Sequence, residues 1–188
     1  ELEILLTINN IVSTALSNAS LYDEVIQLSY TDGMTDLHNF RYFEMRLKEE
    51  ILRHTRNKQG VSLIILDVDH FKNYNDTLGH QAGDLVLKQL ANILKHTVRE
   101  NDIVARYGGE EFVLIFPATD LSKAVDIVER IRQHVESTPF HVDEFSIPVT
   151  ISAGVTTAVK EDSIDEIIMR ADQLLYQAKN EGRNRVES

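Results

Sequence analysis

Apolar positions in the first thirty residues recur with a period of seven. One series is Leu5, Val12, Ala19 and Ile26, and three positions after each of these come Ile8, Ala15, Tyr22 and Ser29. No proline or glycine occurs before Gly33. The pattern predicts a helix over residues 1–30, and 28 residues of helix are roughly 42 Å long. We expect it to pair with a second copy as a parallel dimer stalk, with Asn18 setting the register; packing on its own domain is the alternative.

The remaining chain alternates between helical and strand-like periodicity. The predicted helices cover 40–58, a stretch from about Gln81, and 122–135, and the predicted strands cover 61–69 and 146–158. Ser163 and Glu166 form a capping-box pattern that opens a last helix, which should end at Gly182.

Residues 102–118 predict a β-hairpin whose strands are joined by Gly108 and Gly109. From residue 61 the order is then strand, helix, strand, strand, helix, strand, helix. This order is typical of the split β-α-β-β-α-β plan, an antiparallel sheet backed by helices on one face. Residues 31–188 are therefore predicted to form one α+β domain.

Composition narrows the functional classes. The 188 residues carry a net charge of −11, which disfavours a broad nucleic-acid surface. The chain contains no cysteine, which excludes disulfides and thiolate metal sites, and its apolar runs are too short to cross a bilayer. We expect a cytoplasmic protein without a membrane segment. An anionic small molecule remains a candidate ligand if metal ions and local basic residues neutralise it.

Acidic residues should converge with glycines at one end of the predicted sheet. The first strand ends in Asp67 and Asp69, and the hairpin turn is followed by Glu110 and Glu111. Converging carboxylates repel one another unless a cation lies among them, and oxygen ligands without cysteine favour Mg²⁺ or Mn²⁺. A glycine turn would let a phosphate approach the backbone N–H groups. A solvated acidic hairpin tip explains the same residues equally well.

Two longer motifs favour the metal site. The segment "RYGGEEF" at 106–112, preceded by "LDVDHFKNYNDTLGHQAGD" at 66–84, resembles the GGDEF family of diguanylate cyclases in its GGEEF version. The resemblance covers about residues 31–188. It implies a palm-like fold related to nucleotidyl cyclases, and a reaction that joins two GTP into cyclic di-GMP with release of two pyrophosphates.

The resemblance assigns metal-binding roles to the acidic residues. Asp67 and Glu110 match the ligands of Mg²⁺ or Mn²⁺, two ions per half-site, with the carbonyl of Val68 as a further ligand. Glu110 also matches the group that helps to deprotonate the attacking 3′-hydroxyl, and Glu111 lies next to the second ion. Asp69 is interpreted instead as the N-cap of the following helix.

Substrate contacts follow from the same match. Asn75 and Asp84 correspond to the groups that bind the guanine edge, and His80 to another substrate contact. The turn of Gly108 and Gly109 would admit the nucleotide, and Lys72, Lys179 and Arg183 correspond to phosphate contacts. Without the resemblance, Asn75 would be a turn former, and Lys179 and Arg183 a favourable basic helix end.

A second motif, "REND" at 99–102, lies shortly before the hairpin turn. Its Arg99 and Asp102 resemble the family's inhibitory site, where product binds, and Arg130 or Arg132 would supply a second contact. The opening motif "DGMTDLHNFR" departs from the family pattern at Met34, Asp36 and Phe40.

The resemblance also implies partners. One GGDEF domain holds one GTP, so catalysis requires a homodimer with two facing domains. The predicted helix of residues 1–30 would pair the two copies. The stretch "SNASLYDEV" resembles the exit helix of a GAF-type sensory domain, so we expect such a domain upstream. The alternatives are a catalytically silent module that senses cyclic di-GMP or GTP, and a dimerisation element that only relays a signal.

Overall fold

The computed structural model describes residues 9, 12–16, 18, 30–57, 60–142, 144–159 and 162–188, except the side chains of 55–57. The chain divides into two compact units, Glu1–Thr31 and Asp32–Ser188. In the first unit the described residues below 30 are helical and exposed. Most of the predicted heptad helix lies outside the described residues.

The described part of the second unit contains five helices and seven strands. The helices are α1 Phe40–Asn57, α2 Phe71–Leu78, α3 His80–Thr97, α4 Leu121–Ser137 and α5 Ile164–Asn180. The strands are β1 Val61–Val68, β2 Ile103–Gly108, β3 Glu111–Pro117, β4 Phe140–Val142, β5 Phe145–Ile147, β6 Ile151–Thr157 and β7 Val186–Glu187. No described helix is long and apolar enough to span a membrane.

The main sheet has the order β2-β3-β1-β6-β7, with β1 at its centre. Strand β1 runs antiparallel to β3 and to β6, whereas β6 and β7 are parallel. All eight residues of β1 are buried, as its uninterrupted apolar run predicts.

Helices cover both faces of this sheet, so the predicted one-sided arrangement is wrong. Successive side chains of a strand point to opposite faces, and those of β1 enter two separate cores. Ile64 and Leu66 pack with residues of α3 and α4, and Leu63 and Ile65 pack with residues of α1 and α5. A strand that is apolar on both faces requires cover on both.

Several local predictions differ from the structure in detail. Helical periodicity was predicted only from about Gln81, with Asp69 as the cap of a helix before it, whereas two helices, α2 and α3, occupy this region. The segment predicted as one strand over 146–158 contains the end of β5, a break and β6. The break includes Pro148, which lacks an N–H donor for a strand ladder. The capping box of Ser163 and Glu166 is present at the start of α5, as predicted.

Candidate active site

The end of β1 and the β2–β3 hairpin meet as the sequence predicts. Asp67 lies opposite Glu111 of β3 on one side and Ser152 of β6 on the other. The N–H of Val68 lies 3.4 Å from the carbonyl oxygen of Glu110, which it faces as a donor. The order of the strands therefore brings Asp67, Val68, Glu110 and Glu111 together at one end of the sheet.

The turn of the hairpin lies one residue later than predicted. Gly108 pairs with Glu111, so Gly109 and Glu110 form the loop, and the register shifts between Arg106 and Gly108. Gly109 has φ +52°, a conformation that residues with a Cβ rarely adopt. Apart from its chain neighbours, no heavy atom of the described residues lies within 4 Å of a Cβ placed at Gly108 or Gly109. Packing within the described part of the protein therefore does not require these glycines, and leaves space beside the turn.

Burial dominates the electrostatics of Asp67. This residue is 6% exposed. Burial is the largest cause that raises the pKa of its carboxyl to about 6; Lys179 acts in the opposite direction, and nearby Glu110 and Glu111 add to the rise. The Nζ of Lys179 lies 2.9 Å from Oδ2 of Asp67. One lysine therefore offsets only part of the negative charge in this cluster.

The carboxylates fit a divalent cation with oxygen ligands. Burial also raises the pKa of Glu111, with further contributions from Asp172 and Glu110, while Lys179 lowers it. A hard cation would relieve this repulsion. Among the described residues no three acidic or histidine side chains are grouped as a complete metal site. A cation here would therefore need backbone and nucleotide oxygens as additional ligands.

Arg106 holds the turn of the hairpin through hydrogen bonds. Its Nε and Nη2 donate to the carbonyl of Gly109 at 3.2 and 2.8 Å, and its Nη1 donates to the carboxylate of Asp32. Asp32 in turn accepts from the N–H and hydroxyl of Thr35. The first turn of the second unit is therefore hydrogen-bonded to the glycine turn through one arginine. This role of Arg106 was not predicted, although the residue lies inside the motif "RYGGEEF".

The predicted guanine contacts lie on the α2–α3 pair. Asn75 is half-buried on α2, and Lys72, His80 and Asp84 are exposed. Gly83 of α3 lies so close to Asn75 that an added Cβ would overlap the Oδ1 atom of Asn75. Gly83 was not predicted as part of the site, because the need for a small residue at this position depends on how the two helices pack.

Asp69 is not a helix N-cap, so this prediction is wrong. His70, with φ +57°, occupies the cap of α2 and makes no side-chain cap hydrogen bond. The carboxylate of Asp69 is buried and accepts from Thr150, Ser152 and the backbone N–H of Asn184. These donors follow Asp69 by more than eighty residues, which local sequence could not indicate.

The two remaining phosphate candidates lie at the end of α5. Lys179 occupies its last turn and contacts Asp67, whereas Arg183 follows the helix and is exposed. Arg183 has φ +65° and lies between Gly182 and Asn184, which also have positive φ.

The residues of the "REND" motif form a closed turn before β2. Asp102 accepts from the backbone N–H of Arg99 at 3.0 Å, and the N–H of Asp102 donates to the carbonyl of Arg99. The side chain of Arg99 is exposed. Of the two candidates for a second contact, Arg132 is held by Glu129, Glu136 and Asn184, whereas Arg130 is exposed.

The chain matches the family described as "Diguanylate cyclase, GGDEF domain" over residues 29–185. It is 39% identical over 180 residues to diguanylate cyclase DgcP of Pseudomonas aeruginosa, covering 96% of this chain and 27% of the relative. It is 46% identical over 167 residues to response regulator PleD of Caulobacter vibrioides, covering 87% and 37%. The chain thus spans about a quarter to a little over a third of the length of these relatives.

The fold is also similar to solved structures. The coiled coil and GGDEF domain of DgcB from Caulobacter crescentus, in complex with c-di-GMP, superposes with a TM-score of 0.85 at 31% identity. The match covers 95% of this chain and 96% of that one. A GGEEF domain of a diguanylate cyclase from Vibrio cholerae superposes with a TM-score of 0.75 at 35% identity over 79% and 95% of the two chains. The predicted palm-like α+β class is confirmed.

Proposed function

We propose that this chain, which belongs to the GGDEF-domain family of diguanylate cyclases, joins two GTP into cyclic di-GMP with release of two pyrophosphates. The observation that carries the proposal is the buried Asp67 at the end of β1, beside a glycine turn with two glutamates and next to Lys179. An acidic cluster of this kind suits a metal–triphosphate, because its cation compensates the carboxylates while its phosphates meet the lysine.

The residues that would hold Mg²⁺ or Mn²⁺ are Asp67, the carbonyl of Val68 and Glu110, with Glu111 beside a second ion. When bound, such ions neutralise phosphate charge and favour ionisation of the attacking 3′-hydroxyl. The protein contributes the rigid placement of these ligands. Two central strands and the Arg106 contacts hold them, so little reorganisation is needed during the reaction.

The proposed nucleotide site extends from the turn to helices α2, α3 and α5. Its phosphate-binding residues are Lys72, Lys179 and Arg183, with the N–H groups of the Gly108–Gly109 turn, and its guanine side comprises Asn75, His80 and Asp84. An amide and a carboxylate can together satisfy the acceptor and donors of guanine. The open space beside Gly108 and Gly109 leaves the backbone accessible to phosphate oxygens.

Glu110 is proposed to help deprotonate the attacking 3′-hydroxyl as well as to bind the metal. Its place in a two-residue loop at the sheet end leaves it only half-buried, within reach of a substrate. The test is incubation of the chain with GTP and Mg²⁺, followed by chromatographic analysis of the products. Glu110→Ala should lower turnover by at least ~100-fold, the usual contribution of a positioned acid–base group.

The matched control for this test is Glu144→Ala, which removes an exposed glutamate from the β4–β5 turn. It should behave like the parent. If Glu110→Ala stays within a few-fold of the parent, Glu110 has no catalytic role. If the parent releases no cyclic di-GMP at any protein concentration but binds it, the silent sensor becomes the better proposal.

The chain is proposed to act as a homodimer paired through the helix that the sequence predicts for residues 1–30. Among its described residues, Val12 is 49% exposed and Leu16 is 66% exposed, so these apolar side chains are available to a second copy. Since each domain would supply one GTP, turnover per subunit should rise with protein concentration. Removal of residues 1–30 should lower dimerisation, measured by analytical ultracentrifugation, together with turnover; turnover that is independent of concentration would contradict the shared site.

Product inhibition is proposed at the Arg99–Asp102 turn. The turn holds Asp102 in place and leaves the Arg99 guanidinium exposed, and Arg130 is exposed as a second contact. Planar guanidinium groups suit phosphate or the guanine Hoogsteen edge. Cyclic di-GMP bound here would hold two domains in an arrangement that separates their half-sites.

A further inference from the structure

Asp69 is a buried carboxylate that the proposed reaction does not use. It is 1% exposed, and its two oxygens accept hydrogen bonds from Ser152 at 2.6 Å, Thr150 at 2.8 Å and the N–H of Asn184 at 2.9 Å. Its own N–H donates to the carbonyl of Thr150. Burying a carboxylate is costly unless its oxygens accept hydrogen bonds. Asp69 therefore holds its donors, including the N–H of Asn184, in place.

One of these donors belongs to a strained turn. Gly182, Arg183 and Asn184 have φ values of +118°, +65° and +46°. Glycine adopts positive φ freely and asparagine tolerates it, but an arginine in this region is disfavoured by its Cβ. A strained residue persists only where surrounding contacts hold it, and such residues cluster at functional sites.

The contacts that hold the turn come from two directions. On the sheet side, Asp69 accepts from the backbone of Asn184, and the N–H of Ala153 donates to the carbonyl of Arg185 at 3.0 Å. On the helix side, the Asn184 side chain accepts from Arg132 at 2.6 Å and donates to Glu136 at 2.7 Å. Both sets of contacts fall on residues that flank Arg183. The N–H of Arg183 itself donates to the carbonyl of Ala178 in α5 at 3.0 Å, and its side chain is exposed.

The same strand end therefore binds the C-terminal region at two points. Asp67 pairs with the side chain of Lys179, and two residues later Asp69 binds the backbone of Asn184. Arg183 lies between these points in the sequence. We propose that Asp69 is a positioning residue that holds Arg183 in its left-handed conformation toward the nucleotide phosphates. The inference rests on the proposed function, in which Arg183 binds phosphate.

A double-mutant cycle between Asp69 and Arg183 tests this proposal. Asp69→Asn keeps the size of the side chain but removes its charge and replaces one of its two acceptor oxygens with an amide donor. The half-saturating concentration of GTP should rise about tenfold, the contribution of one charge-assisted hydrogen bond. Arg183→Ala should raise it at least as much. Because Asp69 is proposed to act through Arg183, adding Asp69→Asn to Arg183→Ala should have no further effect.

A merely structural role gives a different result. If Asp69 only stabilises the fold, the factors by which Asp69→Asn and Arg183→Ala each change GTP affinity should multiply in the double variant. That result would overturn the proposal. Parent-like GTP affinity of Asp69→Asn also overturns it. Asp126→Asn, which removes an exposed charge from α4, is the matched control and should leave GTP affinity unchanged.

A second variant serves if Asp69→Asn does not fold. Ser152→Ala removes one donor to Asp69 and should weaken GTP binding in the same direction by a smaller factor, again with no effect in the Arg183→Ala background. An additive effect of Ser152→Ala, or none in the parent background, contradicts the proposal. Binding of a fluorescent GTP analogue to the parent separates the two levels: a parent that does not bind it refutes the proposed function, whereas a binding parent with additive variants refutes only the role of Asp69.

Discussion

The raised pKa of Asp67 leads to a measurable dependence on pH. Burial is the largest cause of the shift, and the pKa lies at about 6 in place of the ordinary 3.8. With a pKa of about 6, only about one tenth of the carboxyl groups are ionised at pH 5 and about nine tenths at pH 7. With an ordinary pKa, about nine tenths would already be ionised at pH 5.

Carbon NMR of protein labelled at the aspartate carboxyl groups measures this pKa directly. The resonance absent from Asp67→Asn identifies the residue, and in protein free of metal and nucleotide its midpoint should lie near pH 6. Replacing Lys179 with Met removes the nearby charge that lowers this pKa, so the midpoint should move to higher pH. A midpoint near pH 4 in the parent would refute the account of this buried carboxyl.

The same shift affects the stability of the metal-free protein. Between pH 4 and pH 6 the folded state holds the Asp67 proton more tightly than the unfolded state does, so this group's contribution to the free energy of unfolding falls as pH rises through that range. Urea denaturation of the parent and of Asp67→Asn isolates this contribution, because the other titrating groups are common to both. The free energy of unfolding of the parent minus that of the variant should fall across this range, and identical pH dependences of the two would contradict the shift.

Four further substitutions test the remaining roles. Asp84→Ser should admit ATP, because the carboxylate that accepts from guanine N–H groups would face the lone pair of adenine N1 and its loss removes this repulsion. Competition between GTP and ATP measures the change, and unchanged selectivity would show that Asp84 does not contact the base. Arg99→Ala should raise the cyclic di-GMP concentration that halves the initial rate by about tenfold or more, and equal inhibition would refute the inhibitory site. Gly83→Ala should weaken GTP binding by displacing the side chain of Asn75, whereas Gly33→Ala, where no described atom lies within 4 Å of an added Cβ, should not. Equal effects of the two substitutions would contradict a role for Gly83 in positioning Asn75. Arg106→Lys should lower turnover about tenfold or more, because the single nitrogen of lysine cannot take the places of the three guanidinium nitrogens that contact the Gly109 carbonyl and the Asp32 carboxylate. A parent-like rate would show that these contacts are dispensable.

Much of this fold follows from local sequence. The apolar run of β1, the amphipathic pattern of α4 and the capping box of α5 each depend on neighbouring residues, so they are visible without a structure. The meeting of Asp67 with the hairpin also followed, because the order of elements makes β1 and β3 neighbours. The roles of these residues in catalysis came from the family motifs and remain proposals.

Other features depended on contacts between distant segments. The apolar run of β1 indicated a buried strand, but which helices cover each of its faces depends on how those helices pack. Asp69 resembled a helix cap because a short acidic residue before a helix usually is one. Its actual donor at Asn184 lies 115 residues away. A buried carboxylate takes whichever donors the tertiary structure brings to it, so local sequence determined its place at the end of the strand, and only the packing of β6 and the C-terminal turn decided its partners.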